Sequence, residues 1–158
     1  MEWSGAMLIL FIIIITLILD QWTKYLITSQ MILNQSIPVI NNFFHITYVK
    51  NPGAAFGILP YQTTFFIIVT VLVVVVLGYY AFSLNKNQLL LKVAFALQIG
   101  GAIGNFIDRI RTGYVVDFLD FKIWSPVFNV ADVAIVLGVS LFALQVVTEI
   151  IKDKKAEV

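Results

Sequence analysis

The side chains most capable of chemistry in this sequence lie between Gly100 and Asp132, a stretch that holds four of the nine acidic residues. Asp117 is flanked by valine, phenylalanine and leucine, an apolar setting that should raise its pKa. Asp132 follows Asn129 by three residues, the spacing of a helix N-cap and an N3 acid, and a helix N-terminus favours an ionised carboxylate. Two carboxylates in different environments suit general acid–base catalysis, although capping alone would also explain Asp132.

The composition limits the kinds of catalytic and binding site that this chain can form. The 158-residue chain has no cysteine, which excludes disulfides, thiol nucleophiles and thiolate metal sites. Its single histidine, His45, argues against a serine–histidine–aspartate triad and is expected to be an interfacial strand residue. A net charge of +1 gives no basis for nucleic-acid binding. With 60% hydrophobic residues and a mean hydropathy of +0.95, the chain is predicted to be an integral membrane protein, with one domain over residues 1–158.

Four long apolar runs predict the fold class, a mainly α integral membrane protein with four transmembrane helices. The spans cover about residues 6–25, 63–82, 89–108 and 130–151. The first run is not expected to be a cleaved signal peptide. No basic residue precedes it, and Asp20 follows where a small-residue cleavage site would be expected.

Short strands are predicted between the spans, because β-branched and aromatic residues cluster there between turn signals. Asp120, three residues beyond Asp117, should point to the opposite face of its strand and have a surface or structural role. An open strand cannot satisfy its backbone groups in lipid, so the segment 28–60 should lie outside the membrane. The predicted strands are residues 36–40, 43–50 and 114–123.

Alternating spans bring particular helix ends to one membrane face, whichever way the protein is oriented. The end of span one, the segment before span two, the end of span three and the start of span four meet there. Polar residues near membrane depth are costly and should be paired. The predicted cluster comprises Asp20, Lys24, Asn51, Gly53, Asn105, Asp108, Arg109, Asn129 and Asp132.

Some of these residues also have simple structural interpretations. Asp20 and Lys24 are spaced i, i+4, so they can pair and hold the helix against the site, or they can form a solvated helix end. Asn105 shares a helix face with the small residues of Gly100–Gly104 and could simply fasten neighbouring helices. Arg109 could be an interfacial anchor or a substrate-facing cation.

The distribution of lysines favours one orientation. Three cations lie on the side of the polar cluster and five on the other, which predicts both termini in the cytoplasm and the cluster outside. Counting Lys24 and Arg109 with the first group makes the two sides level. The three are Lys50, Arg111 and Lys122, and the five are Lys86, Lys92, Lys152, Lys154 and Lys155.

Five motifs, in order along the chain, resemble the lipoprotein signal peptidase (signal peptidase II) family of bacterial membrane aspartyl proteases. Any one of them is weak, but five at suitable spacing over most of the chain are highly specific. They read Asp20–Gln21–Trp22–Thr23–Lys24, Asn51–Pro52–Gly53–Ala54–Ala55–Phe56, Gly101–Ala102–Ile103–Gly104–Asn105–Phe106–Ile107–Asp108–Arg109, Val115–Val116–Asp117–Phe118 and Phe128–Asn129–Val130–Ala131–Asp132.

The resemblance implies roles for these residues. Asp117 and Asp132 would be the catalytic pair, activating a water without a metal or organic cofactor. Asp20 and Lys24 match a motif whose role is structural, and Gly53 and Asp108 would support the site. The residues expected to line the site and position the substrate are Asn51, Asn105, Arg109 and Asn129.

The resemblance also implies a fold and a substrate. The fold would have four transmembrane helices, a small β element and a short surface helix on the outer face of the bacterial cytoplasmic membrane. The substrate would be a prolipoprotein whose cysteine already carries a diacylglyceryl group, cut just before that cysteine. Membrane lipid would be the other partner.

Two other functions compete with proteolysis. A four-helix transporter or channel subunit would use the polar cluster as an ion path, but it needs polar residues through the full membrane depth. Span two has none between Thr70 and Tyr79. A non-catalytic scaffold could use the Gly100–Gly104 face, but this would leave the convergence of acids and amides unexplained.

Overall fold

The computed structural model describes residues 3–53, 59–85, 87–123 and 126–156 of the chain. Four α-helices and three β-strands are present in this part. The small β element predicted from the sequence is confirmed as a three-stranded sheet. In chain order the elements are α1 (Trp3–Gln30), β1 (Ser36–Ile40), β2 (Phe44–Asn51), α2 (Thr63–Ser83), α3 (Leu89–Thr112), β3 (Val115–Phe121) and α4 (Val130–Ala156).

All four helices are long and apolar enough to cross a membrane, as the hydropathy pattern predicts. Their ends extend past the apolar runs, because α1 continues to Gln30, α3 to Thr112 and α4 to Ala156. Helix α3 stops at Gly113, whose φ of 82° is left-handed and whose N–H donates to the Arg109 carbonyl. Hydropathy marks the apolar core of a helix, whereas backbone capping sets its end.

Helix α3 lies at the centre of the bundle and packs against the other three helices. Its glycines permit the close approach that the Gly100–Gly104 pattern predicts. Gly100 faces Thr16 of α1, and Gly101 faces the Ala131 backbone of α4. By contrast, α2 exposes most of its valines and leucines, as a helix facing lipid does. The bundle is therefore organised around the small-residue faces of α3.

We expect Gly101→Ala to destabilise the protein by about 1–3 kcal/mol, because the new methyl group would meet the fixed Ala131 carbonyl oxygen and Ile135. The matched control is Gly78→Ala, at a helical position with nothing within 4 Å of the new methyl group. That change should be neutral or slightly stabilising. Thermal unfolding in detergent measures both, and equal midpoints for the two variants would contradict the close packing of α3 on α4.

The three-stranded sheet forms one side of the predicted polar cluster. Its order is β1-β2-β3, with both pairs antiparallel. The β2–β3 register aligns Val49 with Asp117 and Asn51 with Val115, so the end of β2 lies beside the Asp117 strand position. His45 is a strand residue, as predicted, and its ring bonds the Ser36 hydroxyl at 3.1 Å.

The short surface helix implied by the resemblance is not seen in the described residues of the segment 28–60. After α1 ends at Gln30, the chain turns and enters β1, and the turn uses a positive φ of 65° at Asn34. Residues 54–58 of this segment lie outside the described residues.

Candidate active site

Asp117 lies on β3, where the flanking valines and phenylalanine bury it to 2% exposure. Both of its carboxylate oxygens accept side-chain hydrogen bonds. Asn129 Nδ2 donates to Oδ1 at 2.6 Å, and Asn51 Nδ2 donates to Oδ2 at 2.9 Å. The two amides fix the carboxylate plane and satisfy it in an apolar setting.

Asp132 is fixed by the start of α4. Its backbone N–H donates to Asn129 Oδ1 at 2.9 Å, and its Oδ2 accepts from the Asn129 backbone N–H at 3.2 Å. This reciprocal capping box confirms the N-cap and N3 spacing. Its other oxygen, Oδ1, accepts from Asn105 Nδ2 at 2.8 Å. Helix capping therefore accounts for the hydrogen bond to Asp132 Oδ2, and Asn105 of α3 holds Oδ1.

The Asn129 side chain connects the Asp117 carboxylate to the first turn of α4, which carries Asp132. It is fully buried, caps α4 through its oxygen, and donates through its nitrogen to Asp117 Oδ1 and to Asn105 Oδ1. A single amide thus relates the strand that carries Asp117 to the helix that carries Asp132.

Asp117 and Asp132 line one cavity of about 650 Å³. Arg109, Asn51 and Asn105 are its other polar lining residues. The remaining wall is apolar and runs along α4, where Val136 and Leu137 are also exposed on the lipid-facing side of the bundle. A largely apolar cavity with a few convergent polar groups is the usual form of a binding site. Its apolar lining residues are Val115, Phe121, Ile123, Pro126, Val127, Phe128, Val133, Ile135, Val136 and Leu137.

Burial, and secondarily the nearby charge of Asp132, raises the pKa of Asp117 to about 7. The amides of Asn51 and Asn129 oppose this rise, because they favour the ionised form. The direction is the one predicted from the apolar sequence around Asp117. Near neutral pH, this carboxyl group can therefore either hold or release a proton.

We expect Asp132→Asn to lower the pKa of Asp117, since it removes the neighbouring charge while burial remains. Infrared titration of the protonated carboxyl band measures this, with Asp117→Asn identifying the band. Asp120→Asn is the control, because Asp120 bonds Thr47 and Lys122 on the other face of the strand. An unchanged Asp117 titration in Asp132→Asn would show that the two carboxylates are not coupled.

Behind the carboxylates lies a buried charge cluster centred on Lys24. Its ammonium is 2.9 Å from Asp20 and 3.0 Å from Asp108, and it donates to Asn105 Oδ1 at 2.9 Å. Lys24 is 3% exposed and Asp20 is fully buried, so the alternative of a solvated helix end is wrong. Because the ammonium holds the Asn105 oxygen, the Asn105 amide nitrogen faces Asp132.

Asp20 and Asp108 each join this cluster to another element. Asp20 Oδ1 accepts from the Ala131 backbone N–H at 3.0 Å, which caps the first turn of α4 from α1. Asp108 Oδ2 accepts from the Val116 backbone N–H at 3.1 Å, one residue before Asp117. These two acids therefore position α4 and β3, and neither is among the residues that line the cavity.

Gln21 has a supporting role that the sequence analysis did not assign. Its side-chain nitrogen lies 3.1 Å from Asp20, 3.2 Å from the Gly104 carbonyl and 3.1 Å from Asp108. It lies within the first of the five motifs, but a glutamine near a helix end carries no signal of its own. Only the approach of α3 at Gly104 reveals its role.

Arg109 lines the cavity and is held at two points. Its guanidinium donates to the Gly53 carbonyl at 3.1 Å and lies 4.9 Å from the Phe66 ring centroid. Gly53 is fixed in turn by its N–H, which donates to Asn51 Oδ1 at 2.9 Å. The cation therefore faces the cavity side of the bundle, with its backbone support from the second motif. Residues 54–56 of that motif lie outside the described residues.

The nine residues of the predicted cluster, together with Asp117, thus divide into two groups. Five residues line the cavity, and the other five hold those five in place. The lining residues are Asn51, Asn105, Arg109, Asp117 and Asp132, and the supporting residues are Asp20, Lys24, Gly53, Asp108 and Asn129.

Known proteins resemble this chain over most of its length. The family model described as "Signal peptidase (SPase) II" matches residues 12–148. The lipoprotein signal peptidase of Moorella thermoacetica is 52% identical over 137 residues, covering 86% of this chain and 90% of that protein. That of Caldanaerobacter subterraneus is 53% identical over 127 residues, covering 80% and 87%.

The fold has a close structural counterpart as well. A solved structure described as a "Bacterial membrane enzyme structure by the in meso method at 2.3 A resolution" superposes with a TM-score of 0.86 at 40% identity. The match covers 89% of this chain and 88% of that one. The family match covers the sheet, all of α2 and α3, and most of α1 and α4. Relatives share about half of their residues with this chain over most of its length. The chain belongs to the signal peptidase II family.

Proposed function

We propose that this protein is an aspartic endopeptidase that removes the signal peptide from diacylglyceryl-modified prolipoproteins by cutting just before the lipidated cysteine. The observation that carries the proposal is the pair Asp117 and Asp132, whose side chains line one largely apolar cavity and whose strand and helix are joined by the Asn129 side chain. Membership of the signal peptidase II family supports it. Transport and scaffolding are not favoured by that membership.

In the proposed mechanism, the two carboxylates share one proton and activate a water. Asp132, ionised at the start of α4, takes a proton from the water, whose oxygen attacks the scissile carbonyl carbon. Asp117 holds the other proton and donates a hydrogen bond to the carbonyl oxygen as negative charge develops there. The proton taken from water then passes to the leaving amide nitrogen as the C–N bond breaks.

The pKa of Asp117 suits this assignment. At about 7, it keeps a large protonated fraction at neutral pH, whereas an ordinary aspartate would be ionised. Because the proposed donor is the protonated form, kcat/KM should fall as the pH rises above about 7.

The cavity wall supports a lipidated substrate. The apolar lining along α4 continues to Val136 and Leu137, which are 63% and 52% exposed on the bundle surface. Acyl chains or an apolar signal peptide in the bilayer could reach the carboxylates along this wall without crossing water. Arg109 is then the cation that lines the cavity near the cut and can bind the peptide backbone.

The assay is cleavage of one prolipoprotein with and without its diacylglyceryl group by the purified protein. Cleavage of the lipidated form, with the unlipidated form cut at least about 100-fold more slowly, is expected, because the acyl chains supply apolar burial. Asp120→Asn is the matched control and should cleave normally. Equal cleavage of both forms would contradict the lipid requirement. If the folded protein cleaves neither form, the proposal that it is a protease is contradicted.

We also propose a multi-pass topology in the bacterial cytoplasmic membrane, with both termini in the cytoplasm and the carboxylates at the outer face. The asymmetry of lysines supports this orientation. Because the chain has no cysteine, Tyr61→Cys and Lys155→Cys provide single labelling sites at opposite ends of the bundle. An impermeant maleimide added to intact cells should label only Tyr61→Cys, and the reverse pattern would invert the topology.

A further inference from the structure

A second cavity, of about 400 Å³, lies at the end of the bundle opposite the carboxylates. It is formed by the start of α1, the end of α2 and the first turns of α3. Polar and apolar surfaces contribute to it in comparable amounts, unlike the largely apolar first cavity. Its lining residues are Gly5, Ala6, Ile9, Ala81, Phe82, Leu84, Asn85 and Lys92.

Lys92 is the charged group of this cavity. It is only 6% exposed, because its side chain folds inward against α1. Its ammonium passes so close to Gly5 that a methyl group there would lie 2.7 Å from Nζ. Within residues 3–53, 59–85, 87–123 and 126–156, no carboxylate or hydrogen-bond acceptor partners this ammonium. The ammonium itself reaches the surface, because every fully buried side-chain nitrogen and oxygen among the described residues has a hydrogen-bond partner. An anion that enters from the surface can therefore pair with it.

The position along the membrane normal identifies the kind of anion. Tyr79 and Tyr80 precede the cavity residue Ala81 and are 71% and 55% exposed. Exposed tyrosines at a helix end mark the level of lipid headgroups. Phe82 and Asn85 are exposed too, so the cavity reaches the surface at that level. The anions concentrated at headgroup depth are the phosphates of phospholipids.

We propose that the Lys92 cavity binds the phosphate of a phospholipid headgroup in the leaflet on the side of the chain ends. The ammonium is a point charge suited to a phosphate oxygen, and the Asn85 side chain offers an amide at the rim. Ala6, Phe82 and Leu84 are at least partly exposed and provide apolar contacts for the upper acyl carbons. Helix α3 also begins here without a side-chain cap, and its N-terminal dipole favours an anion.

Native mass spectrometry of the intact protein, released from neutral detergent, tests the proposal. The probes are phosphatidylglycerol, diacylglycerol with the same acyl chains, and inorganic phosphate. Phosphatidylglycerol should bind about tenfold more weakly to Lys92→Met than to the unaltered protein, since a charge-assisted hydrogen bond is lost. Diacylglycerol should not distinguish the two proteins. Lys155→Met is the matched control, because it removes an exposed charge from the same end of the bundle.

Lys92→Arg, which keeps the cation, should retain phosphatidylglycerol binding within about threefold. Thermal unfolding establishes that each variant is folded. Equal phosphatidylglycerol binding by the unaltered protein and Lys92→Met would overturn the site. Lys92-dependent binding of inorganic phosphate as tight as that of the lipid would overturn the headgroup as its source. No step uses prolipoprotein, so the outcome is independent of the proposed protease activity.

Discussion

Asp117→Asn and Asp132→Asn should each lower kcat/KM for lipidated prolipoprotein by about 10⁴-fold. Asparagine keeps the shape of the side chain. Its oxygen can accept one of the two hydrogen bonds that each carboxylate accepts, and its NH2 group faces the other donor. It cannot take a proton from water, nor can it hold the shared proton. The expected loss is therefore chemical, and cleavage rates measured beside thermal midpoints separate it from unfolding.

The double variant Asp117→Asn/Asp132→Asn should be no slower than either single variant, because residues that act as a unit are not additive in their effects on rate. Asp120→Asn controls for the loss of a carboxylate from the same strand. Normal turnover by either single variant would exclude the pair as the catalytic centre, even though the family assignment would stand.

Lys24→Met should lower the free energy of unfolding by about 3–5 kcal/mol, since it leaves Asp20 and Asp108 buried without their cation. It also removes the hydrogen bond to Asn105 Oδ1, which orients that amide toward Asp132. Denaturation in detergent measures the stability, and the cleavage assay at a temperature where the variant is folded measures the second effect.

The matched control is Lys122→Met. Lys122 also pairs with an aspartate, Asp120, but its side chain is 37% exposed, so the loss should be about 0–1 kcal/mol. A triple variant with Asp20→Asn, Lys24→Met and Asp108→Asn should recover part of the lost stability, because no buried charge remains unpaired. Equal stability losses in the two lysine variants would contradict the account of a buried cluster.

Much of the fold could be predicted because lipid imposes strong constraints on sequence. The four apolar runs give the helices, and β-branched runs between turn signals give β1, β2 and β3 close to their observed ends. The capping box at Asn129 and Asp132 is a local spacing, and it forms as predicted. Convergence of helix ends followed from alternation of the spans alone, and the cluster around Lys24 confirms it for α1 and α3.

The remaining features depend on contacts between residues far apart in the chain. Nothing near Asp20 indicates that its carboxylate caps α4 at Ala131, and nothing near Gln21 indicates that it reaches the Gly104 carbonyl. For the same reason, the sequence could not decide whether Lys24 lies at a solvated helix end or in a buried cluster. Helical spacing shows that two side chains can meet, but burial depends on what packs over them.

The sequence also did not predict the apolar wall of the cavity. Val136 and Leu137 read as ordinary lipid-facing residues of α4, and only the position of the sheet reveals that they continue a surface leading to Asp132. Hydropathy cannot distinguish a side chain that faces the surrounding bilayer from one that lines a cavity, since both are equally apolar.

The contact between Asp20 and Ala131 has a consequence for how the protein is made. The two residues are 111 positions apart, so α1 is synthesised long before its carboxylate can meet α4. In the interval, Lys24 lies one turn away on the same helix and can neutralise Asp20. The first helix can thus enter the bilayer without a net charge from this pair, which lowers the cost of insertion. When α3 has been synthesised, Asp108 pairs with the same Lys24 ammonium. The cluster is therefore completed in the order in which its helices are translated.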